Sequence, residues 1–259
     1  MEDKFLVKAF TVPKTKHPVL IQGLPGIGNV GKIAVEFMIT HLGAEKVYDI
    51  LGPEFPNAVF VNEQDLVDLP RISIYYKKMG KTEVFFVNGD VQPSNEVGCY
   101  TLAQKVLSIA EKHHVKEVIS LGGIGLDKIP EAPIVFAVGN DPVIVKKYKS
   151  SPTHMVYGTV GPIIGMAGIL VGLAKDYNIP GAILLAETFA HPTHIGIKGA
   201  REIIRVLNTK IHMGVNINEL DKEIKSMEKN IKTPARTIVQ PALAPKEEKP
   251  FKDYNNYIG

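Results

Sequence analysis

The residues best placed to do chemistry lie in the run Gly23-Leu24-Pro25-Gly26-Ile27-Gly28-Asn29-Val30-Gly31-Lys32. Gly26, Gly28 and Gly31 spell G-x-G-x-x-G, the spacing that lets backbone N–H groups at a helix start approach a pyrophosphate. Gly26 to Gly31 followed by Lys32 also approaches a phosphate loop, with the lysine ammonium on the phosphates. Ile33 stands where that loop needs a Ser or Thr hydroxyl for Mg²⁺, so the second match lacks a ligand. An acidic ribose partner would be sought about 20 residues on, where Asp49 lies. The same glycines also admit a reading without a ligand. Residues lacking a Cβ allow a tight strand-to-helix turn and close helix–sheet packing.

Glu187, His191 and His194 form the other cluster. A carboxylate with two imidazoles can act as general acid and base or hold a metal. Pro192 keeps the histidines off a common helical face, and no third spaced ligand follows. The alternative has Glu187 bonding loop backbone, with the histidines at a surface or interface. His113-His114, at a predicted helix end, complements the helix dipole. Cys99 has no His partner in the sequence and reads as a free thiol. Ser94, Ser108 and Ser120 lie in no G-x-S-x-G elbow. The residues therefore predict no catalytic set, no metal site and no cofactor. The competing reading is a nucleotide- or nucleoside-binding enzyme using Gly26, Gly28, Gly31, Lys32 and Glu187.

These residues need a scaffold, and the apolar pattern supplies one. Val19–Gly23, Lys46–Leu51, Glu117–Leu121, Ile134–Val138 and the aliphatic run Ala182–Ala186 read as strands. Arg71–Tyr76 and Glu83–Asn88 flank a Lys78–Lys81 turn and predict a hairpin. Helices are predicted after the first glycine turn, from Ser94 as N-cap to about His113 with Val97, Thr101, Ala103, Val106, Leu107 and Ala110 inward, through Gly161–Tyr177, and around Ile203–Ile211. Gly161-x₃-Gly165 and Gly168-x₃-Gly172 would let a helix lie close to another backbone. Strands alternating with helices predict a three-layer α/β/α sandwich. If the strands are parallel, three glycine-rich ends converge on its carboxyl edge, where ligands sit in such folds.

Ile217, Leu220, Ile224, Met227 and Ile231 form a two-heptad seam after Asn216, a packing or oligomerisation helix. The expected organisation is an α/β domain over 1–213, an amphipathic helix over 214–232 and a flexible tail over 233–259, rich in Pro, Lys and Glu. The 259 residues carry 30 Lys and Arg against 27 Asp and Glu, for a net charge of +3. That balance argues against a dedicated nucleic-acid binder. One cysteine excludes an internal disulfide framework and a multi-cysteine zinc site. No apolar run is long enough to span a membrane, and the charged start MEDKFLVKAF is unlike a signal peptide. A cytoplasmic protein bound to neither membrane nor nucleic acid is expected.

Three segments, taken in order, resemble the proteasome assembly chaperone 2 family, and its archaeal branch more closely. They are Gly23 to Gly31, the strand into Gly122-Gly123-Ile124-Gly125, and Gly158-Thr159-Val160-Gly161 leading through a glycine-rich helix to Leu184-Leu185-Ala186-Glu187-Thr188. The resemblance covers roughly residues 15 to 210. It implies a fold similar to nucleoside phosphorylases and related hydrolases, without their catalytic residues. It also implies a homo-oligomer that binds proteasome α subunits or the assembled 20S core. Docking in that family often uses a C-terminal hydrophobic–tyrosine–any tripeptide. Here the last residues are Tyr257, Ile258 and Gly259, so the tyrosine stands one place early, a shift of about 3.3–3.6 Å along an extended chain. Those three residues are the expected partner-binding tip.

Overall fold

The computed structural model describes residues 5–149, 153–154 and 161–231. The strands are β1 (Leu6–Ala9), β2 (Val19–Gly23), β3 (Glu45–Leu51), β4 (Phe60–Val61), β5 (Val67–Asp68), β6 (Ile72–Met79), β7 (Thr82–Gly89), β8 (Glu117–Leu126), β9 (Val135–Gly139), β10 (Thr153–His154) and β11 (Gly181–Phe189). β4 and β5 pair with each other, and the other nine form one sheet ordered β1-β3-β6-β7-β2-β8-β11-β9-β10. At its centre β7, β2, β8 and β11 run parallel, with Leu20 opposite Phe85 and Val118. The flanking pairs β3–β6, β6–β7 and β9–β11 are antiparallel, while β10 joins β9 in parallel. The sheet is therefore mixed. Its β6–β7 hairpin closes through Gly80, whose φ of +59° is the left-handed geometry a two-residue turn requires.

The helices are α1 (Val30–Leu42), α2 (Glu96–Lys112), α3 (Pro142–Lys149), α4 (Met166–Ala174), α5 (Ile197–Ile211) and α6 (Ile217–Ile231). Strand alternation sends Ile21, Phe86, Ile119 and Leu184 to one face, beneath α1, α3, α5 and α6. It sends Leu20, Phe85, Val118 and Leu185 to the other, beneath α2 and α4. Every residue of β2 is buried, as a strand covered on both faces must be. This is the predicted three-layer α/β/α sandwich. Burying each of these large side chains contributes about 1.5–3 kcal/mol.

Local details depart from the sequence reading. The α2 N-cap is Asn95, whose side chain accepts from Gly98 N at 2.8 Å, not Ser94. The buried stripe of α2 includes Leu102 and Ile109, while Val97 is exposed. α4 begins at Met166, so Gly161 and Gly165 precede it, and a Cβ on Gly172 would meet nothing within 4 Å. The spaced glycines therefore do not bring α4 against another backbone as a set. On α6, Leu220 and Ile224 close over the α1–α5 side of the core. His41 to Glu219 at 3.0 Å and Arg201 to Asp221 at 2.9 Å tie the helix down.

His113 is the clearest correction. It is only 8% exposed and packs on Phe85 and Tyr48, whose hydroxyl lies 2.7 Å from Nε2. Burial, then the charges of Lys112 and His114, pushes its pKa below the ordinary value. That shift favours the neutral ring, which is unsuited to serve as a cation at the helix end. A histidine whose pKa is lowered by folding stabilises fully above its unfolded value, about 6.5. That stability is lost as pH falls through the folded value, where the unfolded chain binds more protons. His113→Phe is expected to shrink the fall in melting temperature as the pH drops below about 6.5. An unchanged slope in scanning calorimetry would contradict this.

Candidate functional site

The carboxyl ends of β7, β2, β8 and β11 lie side by side, so two predicted glycine clusters, Gly23–Gly31 and Gly122–Gly125, meet there. The third joins them through Gln92. Its Nε2 donates to Pro25 O and its Oε1 accepts from Met166 N at 3.0 Å, beside Gly165. Sequence reasoning missed Gln92 because its partners are 67 and 74 residues away.

The turn after β2 is filled by the chain's own backbone. A Cβ on Gly23 would stand 2.0 Å from Gly31 O, and one on Gly31 would stand 2.3 Å from Leu121 O. A Cβ on Gly123 would stand 2.3 Å from Ile27 O. Gly28, at φ +61°, lies against Thr188, and its carbonyl accepts from Gly196 N at 2.8 Å. These glycines let α1, β8 and the loop after β11 approach at backbone distance. Of the glycines in this turn, Gly26 alone faces open space.

Lys32 is held between two carboxylates, bonding Glu36 and also Asp90 at 3.0 Å. Burial acts to lower its pKa, but bonds to Glu36 and Asp90 outweigh that and hold it above the ordinary lysine value. The ammonium is thus satisfied within the protein. Because both carboxylates are about half exposed, the network contributes little stability. Lys32→Met is expected to cost under about 1 kcal/mol in urea unfolding. It should also leave the response of the melting temperature to ATP or NAD unchanged. A nucleotide-induced rise that the variant abolishes would instead make Lys32 a phosphate ligand.

Glu187 Oε2 accepts from Ile134 N at 3.0 Å, while Glu187 N donates to Ile134 O at 3.0 Å. The carboxylate fastens the segment entering β9, as the backbone-bonding alternative expected. His191 stacks on Phe189 at 5.5 Å and lies 2.9 Å from Thr193 Oγ1, while His194 meets the Phe189 ring edge-on at 5.6 Å. Burial, then the nearby His191 and Lys198, lowers the His194 pKa. Among the described residues no group of three His, Cys, Asp or Glu could hold a metal ion. Asp49 is not beside the turn, because β6 and β7 separate β3 from β2. It accepts from Ser73 Oγ at 2.5 Å and pairs with Lys46 at 3.2 Å. Cys99 has its thiol pKa pushed up by burial and then by Glu96.

Isoleucines clothe this edge. Ile27, Ile129, Ile134, Ile164 and Ile195 are all exposed, Ile164 by 89%. Scattered apolar residues on a surface are ordinary, but several on loops around one sheet edge mark a place where another surface can bury them. Tyr257, Ile258 and Gly259 lie outside the described residues. Among the described residues no helix is long and apolar enough to cross a membrane.

The chain is thus a three-layer α/β/α scaffold with a mixed sheet, its carboxyl edge closed by its own backbone and rimmed with isoleucines. A family model described as the PAC2 family matches residues 20–234, and the chain belongs to that family. MJ1210, an uncharacterized protein of Methanocaldococcus jannaschii, is 27% identical over 261 residues, covering 98% of this chain and 99% of the relative. Among solved structures, Pyrococcus furiosus PbaB, described as an archaeal proteasome activator, superposes with a TM-score of 0.81 at 26% identity. That match covers 89% of this chain and 98% of PbaB. PbaA of the same organism, described as an archaeal homolog of proteasome-assembly chaperone, shares the fold with a TM-score of 0.74 at 23% identity. It covers 88% of this chain and 90% of PbaA.

Proposed function

We propose that this chain is a non-enzymatic proteasome assembly chaperone or proteasome-binding protein. It recognises α subunits or the α ring, works as a homo-oligomer in the cytoplasm, and uses its α/β body (1–213), helix (214–232) and tail (233–259) as separate working parts. The observation carrying this reading is the carboxyl edge. Where a ligand-binding α/β protein keeps a crevice, here Gly31 lies against Leu121 O and Ile27 O against Gly123, with exposed isoleucines around them. Such an edge suits a protein surface. Membership of the PAC2 family and the description of PbaB as a proteasome activator support the choice of partner. Tyr257, Ile258 and Gly259 supply the docking tip, Tyr being a residue type that dominates interface energetics. Size exclusion of the full chain mixed with α subunits tests the reading. Co-migration is the expected result, and separate elution at tens of micromolar would sink it.

One feature favours a second reading, a nucleotide- or nucleoside-binding enzyme at the same edge. Gln22 and Ser120, paired across β2 and β8, are fully buried, and among the described residues Gln22 Oε1 and Ser120 Oγ have no hydrogen-bond partner. Buried polar groups normally find partners, and a small polar ligand would provide one. Calorimetry with ATP, NAD and nucleosides, with and without Mg²⁺, decides it. Heat from any of them at submillimolar ligand would favour this reading, and silence at millimolar ligand would remove it.

A further inference from the structure

The segment between β3 and β6 forms a small hairpin outside the main sheet. β4 and β5 pair only with each other, Phe60 opposite Asp68 and Val61 opposite Val67. Its turn is firmly built. Asn62 Oδ1 accepts from Gln64 N and Leu66 N, each at 3.0 Å, Asn62 N donates to Leu66 O at 2.9 Å, and Asp65 takes φ +60°. The base is anchored as well, since Asn95 donates to Glu54 Oε2 at 2.7 Å and Arg71 bonds Asp68 at 2.9 Å. Yet Val59, Phe60, Val61, Leu66, Val67 and Leu69 are all exposed, Val67 by 68%.

A two-stranded hairpin by itself is marginal in water. One that is preorganised and apolar on its outside loses little entropy when it is covered. Strand alternation places Val59, Val61, Val67 and Leu69 on one face, which leaves on the order of 400 Å² bare, within the range of the largest patch on a monomer. That is about half of the roughly 800 Å² that one partner contributes to a standard interface.

Charge selects the occupant. Residues 52–70 contain Glu54, Glu63, Asp65 and Asp68 and no lysine, arginine or histidine. Glu63 and Asp65 stand exposed at the tip. Nucleic acid and anionic lipid are repelled by such a surface, and so is a second copy of the same hairpin. A complementary surface lies at the far end of the sheet, where α3 follows β9. On α3, Val143, Lys146 and Lys149 are exposed at i, i+3 and i+6, one helical face, and Val143 is 77% exposed. Beside it runs a groove of about 450 Å³ lined by Val143, Ile144, Ile179, Pro180 and Lys175, among others. Asp141, also in the groove, is already engaged by Val143 N and Ile144 N at 2.8 and 3.0 Å. Two different surfaces on one chain allow a head-to-tail contact between copies.

We propose that the acidic, apolar hairpin over 59–69 of one copy docks on the exposed α3 face of the next, with Glu63 and Asp65 against Lys146 and Lys149. The proposal rests on the homo-oligomer in the proposed function and names the surfaces that build it. The test is sedimentation equilibrium of the full chain at low salt, with circular dichroism as the folding control. Glu63→Lys/Asp65→Asn and Lys146→Glu/Lys149→Glu change only exposed side chains, Asn being tolerated at the left-handed φ of residue 65. Each pair is expected to raise the self-dissociation constant by about tenfold or more, and the four together to restore it to within about threefold. Association unchanged in either pair overturns the docking surfaces while leaving the homo-oligomer intact. Weakening in both pairs without rescue overturns the pairing of tip with α3. A wild-type chain that stays monomeric at about 100 µM, well above the Kd of a stable assembly, overturns the homo-oligomer itself. Hairpin variants that associate normally but lose binding to α subunits give the hairpin to that partner, which also overturns the proposal.

Discussion

Gly31→Ala is expected to remove about 3 kcal/mol or more of folding stability, while Gly26→Ala stays within about 1 kcal/mol of wild type. Intrinsic helix propensity pushes the other way, because Ala inside α1 gains about 1 kcal/mol over Gly. The clash wins because the new Cβ would stand 2.3 Å from Leu121 O and 2.8 Å from its carbonyl carbon, and backbone cannot swing aside as a side-chain tip can. Gly26 is extended, at φ −171° and ψ −160°, with nothing within 4 Å of an added Cβ. Both glycines belong to the G-x-G-x-x-G pattern, so the pair separates its two readings. A scaffold role makes Gly31 indispensable and Gly26 replaceable. A pyrophosphate cradle would make Gly26→Ala cost ligand affinity at little cost in stability. Urea unfolding measures the difference, and a Gly31→Ala chain within 1 kcal/mol of wild type would contradict the close backbone approach.

Deleting Tyr257, Ile258 and Gly259 is expected to weaken binding to the α ring by more than about tenfold, the loss of one aromatic anchor. The melting temperature should not move. If affinity is unchanged, the globular body carries recognition, and the isoleucine-rimmed edge becomes the surface to mutate next. The tyrosine stands one residue earlier than in the tripeptide the family often uses. Extending the chain by no residues but exchanging Ile258 and Tyr257 in order tests the register directly. Tighter binding of the exchanged chain is expected if the pocket reads the penultimate position.

The legible parts of this sequence are those set by neighbours in the chain. Arg71–Asn88 announced its hairpin because β-branched and aromatic runs flank a Gly80 turn. Ala182–Ala186 announced a buried strand because covered strands are aliphatic throughout. The family was legible in three ordered glycine segments, although no single segment is specific. What stayed hidden depended on partners far away in sequence. Asp49 lay at the right spacing for a ribose but on the wrong strand, because spacing carries no information about the order in which strands join a sheet. Lys32 gained Asp90, and His113 gained Tyr48 and Phe85, only through that order. The separation of Phe60–Val61 from the main sheet was hidden too, because it depends on pairing with Val67–Asp68.

The proposed partner of this PAC2-family chain is the α subunit of a proteasome. Sedimentation velocity of the full-length chain, alone and mixed with 20S core particles, tests it most directly. A boundary moving faster than either component, with the chain present in it, is the predicted result. Two independent boundaries across tens of micromolar at low salt would contradict it.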